Sequence, residues 1–129
     1  DLAVYRTNTG VMLVNCPVND GALEIVAVLK ALKARKPELT VFLQTAAERC
    51  AVPVLEDAFL QRYPRITARA LAGLLRRGTL VYDETALRFP HESGATEREV
   101  LKWEDDRLKR SVKAVRKLMG ADSLTLELV

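Results

Sequence analysis

Val54-Leu55-Glu56-Asp57-Ala58-Phe59-Leu60-Gln61-Arg62-Tyr63-Pro64-Arg65-Ile66-Thr67-Ala68-Arg69-Ala70-Leu71-Ala72-Gly73-Leu74-Leu75-Arg76-Arg77-Gly78-Thr79-Leu80-Val81-Tyr82 is the stretch whose pattern decides the fold. Pro64 ends a short helix at about Leu55 to Tyr63, because proline lacks the amide that would continue the ladder. Thr67 offers an N-cap oxygen for a second helix running to Arg77, and Gly78 stands where glycine favours a helix end. Thr79 to Tyr82 and Ala86 to Phe89 are β-prone runs around Asp83-Glu84-Thr85, which predicts a hairpin.

Upstream, Leu39, Phe42, Leu43, Ala46 and Ala47 recur at helical spacing and predict a helix over Glu38 to Cys50. Pro53 ends it. Thr40-Val41-Phe42-Leu43 is also β-prone, which keeps a second arrangement open: Val11 to Cys16 and Thr40 to Gln44 as neighbouring strands around a crossover helix, the frame of a catalytic α/β domain.

Helix, extended link, short helix, tight turn, helix, glycine and hairpin, in that order from Leu39 to Pro90, resemble the winged helix-turn-helix family. The resemblance covers about 50 of the 129 residues and is one of pattern. It implies that the second helix of the pair lies in the DNA major groove and that the hairpin, the wing, touches the backbone or minor groove.

The faces of that second helix agree with such a role independently. At 100° per residue, Ala70, Leu71, Leu74 and Leu75 share one arc, while Arg65, Arg69, Ala72, Gly73 and Arg76 lie opposite. One side packs, and the other is small and basic. Arginine bonds guanine edges or phosphates through its rigid fork, and Ala and Gly let a helix approach closely. The plainer alternative is a solvated cationic face.

Charge is concentrated in the same place. The chain carries 20 Lys and Arg against 17 Asp and Glu, a formal net charge of +3. Residues 1–61 net −1, residues 62–88 net +4 and residues 89–129 net 0, so the excess falls on the second helix and wing. Arg65, Arg69 and Arg76 are expected to face the groove, with Arg62, Arg77 and Arg88 on phosphate. The wing tip, Asp83-Glu84, would repel phosphate. Either the wing points away from DNA or the domain meets a protein.

Around this core the sequence predicts an N-terminal hairpin, Leu2 to Arg6 and Val11 to Val14, turned at Thr7-Asn8-Thr9-Gly10. A helix follows, capped by Asn19 and running to about Arg35. Its apolar stripe of Ala22, Ile25, Val26, Leu29 and Leu32 is broadened by Val28 and three alanines, so burial on most sides is expected. A long helix spans about Thr96 to Met119, opened by the capping box Thr96 to Glu99 and closed by Gly120. Leu124, Leu126 and Leu128 alternate like a half-buried strand, expected beside the hairpin. The fold class is therefore α+β in one domain, with the winged-helix core at about 39–90, an N-terminal extension and a C-terminal helix and strand over 95–129.

The long helix carries a second possible function. Leu101, Leu108 and Val115 recur every seven residues, joined by Val112, and Trp103 lies off that stripe. The stripe suits packing on the same domain or pairing in a homodimer. The alternative to DNA binding is thus a protein interaction or dimerisation module.

Other chemistry leaves little trace. His91 is the only histidine, Glu104-Asp105-Asp106 diverge around a helix, and no phosphate-binding glycine loop or G-x-S-x-G occurs. No metal or cofactor is implied, and no motif supports an enzyme. Cys16 and Cys50 match no redox spacing and are expected as reduced, mostly buried thiols. The longest apolar stretch, Ala22 to Leu32, is broken by Glu24 and Lys30, far from the roughly 18 residues a membrane span needs. No secretory leader opens the chain, so the cytoplasm is the expected compartment. A start at Asp1 and an end inside an apolar alternation read as a fragment or a trimmed chain.

Overall fold

The computed structural model describes residues 1–119, so the strand expected at Leu124 to Leu128 and the closing role of Gly120 lie outside the described residues. The architecture is α+β. In order along the chain come β1 (Leu2–Arg6), β2 (Val11–Asn15), α1 (Ile25–Arg35), β3 (Arg49–Val52), α2 (Asp57–Arg62), α3 (Ala68–Arg77), β4 (Thr79–Leu80), two 3-10 turns (Glu84–Leu87, Pro90–Glu92) and α4 (Glu97–Met119).

The N-terminal hairpin forms as its pattern predicts. β1 pairs antiparallel with β2 from Leu2 opposite Asn15 to Arg6 opposite Val11. The Thr7 amide donates to the Gly10 carbonyl at 2.9 Å, and Gly10 has φ 152. A Cβ there would meet the Val52 carbonyl and the Val54 amide at 2.5 Å, so glycine serves both the turn and the close packing of the following segment.

The sheet runs β3-β2-β1-β4; its outer strand β3 comes from a segment expected as helix, while β4 falls in an expected β-prone run but pairs with a different strand. β3 pairs antiparallel with β2, Val11 facing Val52, and so takes the end of the helix expected over Glu38 to Cys50. That helix is absent. Residues 39–48 have no regular structure, and burial alternates from half-buried Leu39 to half-buried Thr45 with Phe42 80% exposed, the period of extended chain. β-branched Thr40 and Val41 favour this, and β3 pairing holds the far end open. The crossover alternative fails too, because Thr40 to Gln44 form no strand and both neighbours of β2, β1 and β3, run antiparallel to it.

The wing hairpin is also replaced. β4 pairs parallel with β1, Tyr5 facing Thr79 and Arg6 facing Leu80, while Ala86 and Leu87 fall in a 3-10 turn. The Asp83 carboxylate accepts from the Thr85 amide at 2.9 Å, bending the chain, and the Thr85 side chain together with that amide holds the carboxyl below its ordinary range. Leu87 and Phe89, the apolar members of the expected strand, are buried instead.

α1 starts at Ile25, six residues after the expected cap. The Asp1 carboxylate gathers the amides of Leu2, Asn19, Gly21 and Leu23 at 2.7 to 3.3 Å, and Asn19 takes φ 73, so residues 19–23 close as a loop. Burial on most sides is not found: no residue of α1 is buried.

α4 begins with the expected capping box, the Thr96 amide donating to Glu99 at 2.8 Å and the Glu99 amide to Thr96 at 3.3 Å. Its inward line differs from the heptad stripe. Arg107, Ser111 and Val115 are buried, with half-buried Trp103 one turn before them. Leu108 and Val112 are half-buried, and Leu101 is 58% exposed. The inward line follows a polar requirement. Arg107 Nη2 donates to the Asn15 carbonyl at 3.0 Å and to Asn15 Oδ1 at 2.9 Å, and Ser111 Oγ accepts from the Val18 amide at 3.1 Å. These bonds satisfy the end of β2 and the loop after it.

Phe89 organises the core beneath α4. Its ring lies 5.6 Å from that of Trp103, with the Arg49 guanidinium at 5.7 Å and that of Arg107 at 5.9 Å. Arg107 also lies 4.5 Å over Trp103. Glu92 holds Arg49 through both carboxylate oxygens, one at 2.6 Å, which keeps the Glu92 carboxyl below its ordinary range. With Val11, Val14, Val54, Leu87 and Val115, Phe89 completes a small buried set. Both thiols are free; burial raises the pKa of half-buried Cys16, whereas Cys50, contrary to expectation, is exposed on β3.

Candidate nucleic-acid interface

The α2–α3 pair forms where the sequence places it. The Tyr63 amide caps α2 through the Phe59 carbonyl at 3.0 Å, and the Phe59 and Tyr63 rings tilt together at 4.8 Å. Pro64 and Arg65 then carry the chain round, the Ile66 amide reaching the Tyr63 carbonyl at 3.2 Å. Thr67 Oγ1 accepts from the Ala70 amide at 3.1 Å, the N-cap bond its type and position promise.

α3 ends at Gly78 for a reason of space. Gly78 has φ −80, which any residue adopts, but an added Cβ would lie 2.7 Å from Arg6 Cγ and 3.1 Å from the Arg6 amide. Arg6 Nε donates to the Gly78 carbonyl at 3.0 Å. β1 therefore fixes the C-terminal end of α3. Arg6 escapes sequence inspection, because its partner lies 72 residues away and nothing local marks it.

The faces of α3 divide as its periodicity predicts. Leu71, Leu74 and Leu75 are half-buried toward the fold, whereas Arg69, Ala72 and Arg76 are exposed. Ala70, expected among the packing residues, is exposed. Nothing lies within 4 Å of a Cβ added at Gly73, so the small side of the helix faces open space. Arg69 and Arg76 sit seven residues apart on this side, about 10 Å along the axis.

Arg62, Arg65, Arg77 and Arg88 are exposed as well, and among the described residues none of the six arginines forms an ion pair. Arg62 lies 5.7 Å over the Tyr63 ring. Five of the six fall within residues 62–77, a segment with no acidic residue. Arg88 lies outside that segment, at the C-terminal end of the 3-10 turn that follows Asp83.

Basic side chains cluster in the second half of α4 as well, from Arg107 to Lys117, but several are engaged within the fold. Arg107 is buried, which lowers its pKa, while Lys109 pairs with Asp105 and Arg110 with Asp20. An open hollow of about 420 Å³ lies between Thr45, Ala46 and the α4 residues Leu101, Glu104, Asp105 and Leu108. Its carboxylates disfavour phosphate. His91 is exposed and stacks on Phe89 at 5.7 Å. Among the described residues, no three His, Cys, Asp or Glu side chains gather as a metal site, and no helix is long and apolar enough to cross a membrane.

Comparison with family models, curated proteins and solved structures gives no match.

Proposed function

We propose that the chain binds duplex DNA through α2 and α3 acting as a helix-turn-helix pair, as a transcriptional regulator or as the DNA-engaging part of a larger protein. One observation carries the proposal. The side of α3 bearing Arg69 and Arg76 is open, small at Ala72 and Gly73, and free of ion pairs among the described residues. A helix of about 10–12 Å diameter fits a major groove about 12 Å wide, and small residues facing the bases let the backbone come close. Arg62, Arg65 and Arg77 flank that side and suit phosphate contacts, which fix register without reading sequence.

With the first helix and wing hairpin absent, the proposal rests on the helix pair and not on a complete winged helix. Arg88 belongs to it least, since Asp83 and Glu84 stand beside it. Fluorescence anisotropy with a labelled duplex of about 20 base pairs at about 50 mM salt tests the idea, with a single strand of the same sequence as competitor. Saturable binding, weakly competed by the single strand, is expected. No binding, or preference for the single strand, would overturn it.

A further inference from the structure

Among the described residues, the outward face of α1 is a helix surface without a partner. At 100° per residue, half-buried Ile25, Val26, Leu29 and Lys33 turn toward the fold, while exposed Ala27, Val28, Ala31, Leu32 and Ala34 share the opposite arc. Val28 is 56% and Leu32 46% exposed, and Leu23 just before the helix is 52% exposed. A contiguous exposed apolar arc of this kind marks a surface that another surface covers.

We propose that α1 is the seam of a two-fold symmetric homodimer in which the α1 helices of two copies pack antiparallel. Three observations select a second copy as the occupant. Glu24 and Arg35 bracket the apolar arc at its two ends, and neither forms an ion pair among the described residues. Antiparallel pairing sets Glu24 of each copy against Arg35 of the other and opposes the helix dipoles favourably, whereas parallel pairing sets like against like. The same register sets Leu32 against the partner's Ala27 and Val28 against the partner's Ala31. Large side chains then meet small ones twice over, as a self-complementary interface requires.

The third observation is area. The chain exposes 9733 Å² at 14.4 kDa, against about 6,800 Å² for a folded monomer of that mass. After the whole unfolded-chain surface of residues 120–129 is set aside, the surplus is still about 1,800 Å². A standard interface needs about 800 Å² from each partner. The α1 face supplies the seam, and exposed Leu23 and Phe42 on the same β2–β3 connection offer further apolar area. This dimer differs from one built on the α4 stripe, where Val115 is already buried in its own core.

Sedimentation equilibrium of the full chain at about 1 to 100 μM is the test, independent of any DNA. The wild-type chain is expected at twice 14.4 kDa. Val28→Glu with Leu32→Glu, both exposed in the single chain, should run as a folded monomer with unchanged circular dichroism. Arg35→Glu should raise the dimer dissociation constant about tenfold, and Glu24→Lys with Arg35→Glu should restore it. Leu101→Glu on α4 should leave the dimer intact. A wild-type chain monomeric at every concentration overturns the proposal and leaves α1 to a different partner. A dimer that survives the double glutamate change, a charge swap that fails to restore, or a dimer lost with Leu101→Glu overturns it equally.

Discussion

Replacing Phe89 by alanine separates the observed core from a wing hairpin sharply. In a wing, Phe89 would sit on an exposed two-stranded ribbon, and its loss would cost little. In the structure it is 5% exposed, with Trp103, Arg49 and Arg107 all within 6 Å of its ring centre. Removing a buried phenylalanine costs about 3–5 kcal/mol through lost transfer energy and the cavity left behind. The aromatic pair with Trp103 and the two guanidinium contacts place Phe89→Ala toward the upper part of that range, about 4 kcal/mol. Against a total stability of about 5–15 kcal/mol this is a large share, and it lowers Tm by about 15 °C at this chain length. Urea unfolding followed by far-UV circular dichroism measures it, with Tyr82→Ala as control. Tyr82 is 90% exposed, so its loss should stay within about 0.5 kcal/mol. A Phe89→Ala chain within about 1 kcal/mol of wild type, or a Tyr82→Ala chain equally weakened, would refute the assignment of Phe89 to the core.

Further outcomes follow from individual contacts. Thr67→Ala removes the cap of α3 and should cost about 1 kcal/mol in denaturant unfolding. Gly78→Ala should destabilise by about 1–3 kcal/mol because its Cβ meets Arg6. Gly73→Ala, with open space around it, should instead stabilise by about 0.5–1 kcal/mol, and thermal melts of the two variants should shift in opposite directions. The Arg49 ion pair depresses the Glu92 carboxyl below its ordinary value of 4.5, so its contribution is whole above that value and is lost as pH falls through the lower folded one. Trp103 fluorescence should change in that acid range, and Glu92→Gln should abolish the change.

Local signals were legible in the sequence where one residue type answers one geometric need. The Gly10 turn, the Thr67 cap, the Thr96–Glu99 box and the α2–α3 pair all form. Helical periodicity misled at Leu39 to Ala47, because the same residues suit extended chain once Thr40 and Val41 resist the helix and β3 finds β2. It misled again in α4, where the inward line is chosen by Arg107 and Ser111 satisfying Asn15 and Val18, more than 90 residues away. Ala86 to Phe89 reads as a strand until Phe89 finds Trp103 and Leu87 is buried. The arginine face of α3 was legible because amphipathic spacing and charge agree there, while its anchor through Arg6 and Gly78 was not. The outward face of α1 looked like a buried helix, and its exposure in a single chain is what makes a second copy worth testing.

The salt dependence of duplex binding, compared with that of an Arg65→Gln, Arg77→Gln chain, tests the proposed function most directly. If Arg62, Arg65 and Arg77 engage phosphate, log Kd should rise with log salt with a slope of about 2.7, a loss of about fortyfold between about 50 and 200 mM. Removing two of these contacts should flatten the slope by about 2 and reduce the loss to about fourfold. Binding that ignores salt, or a variant with the slope and affinity of the wild-type chain, would contradict a DNA interface on α3.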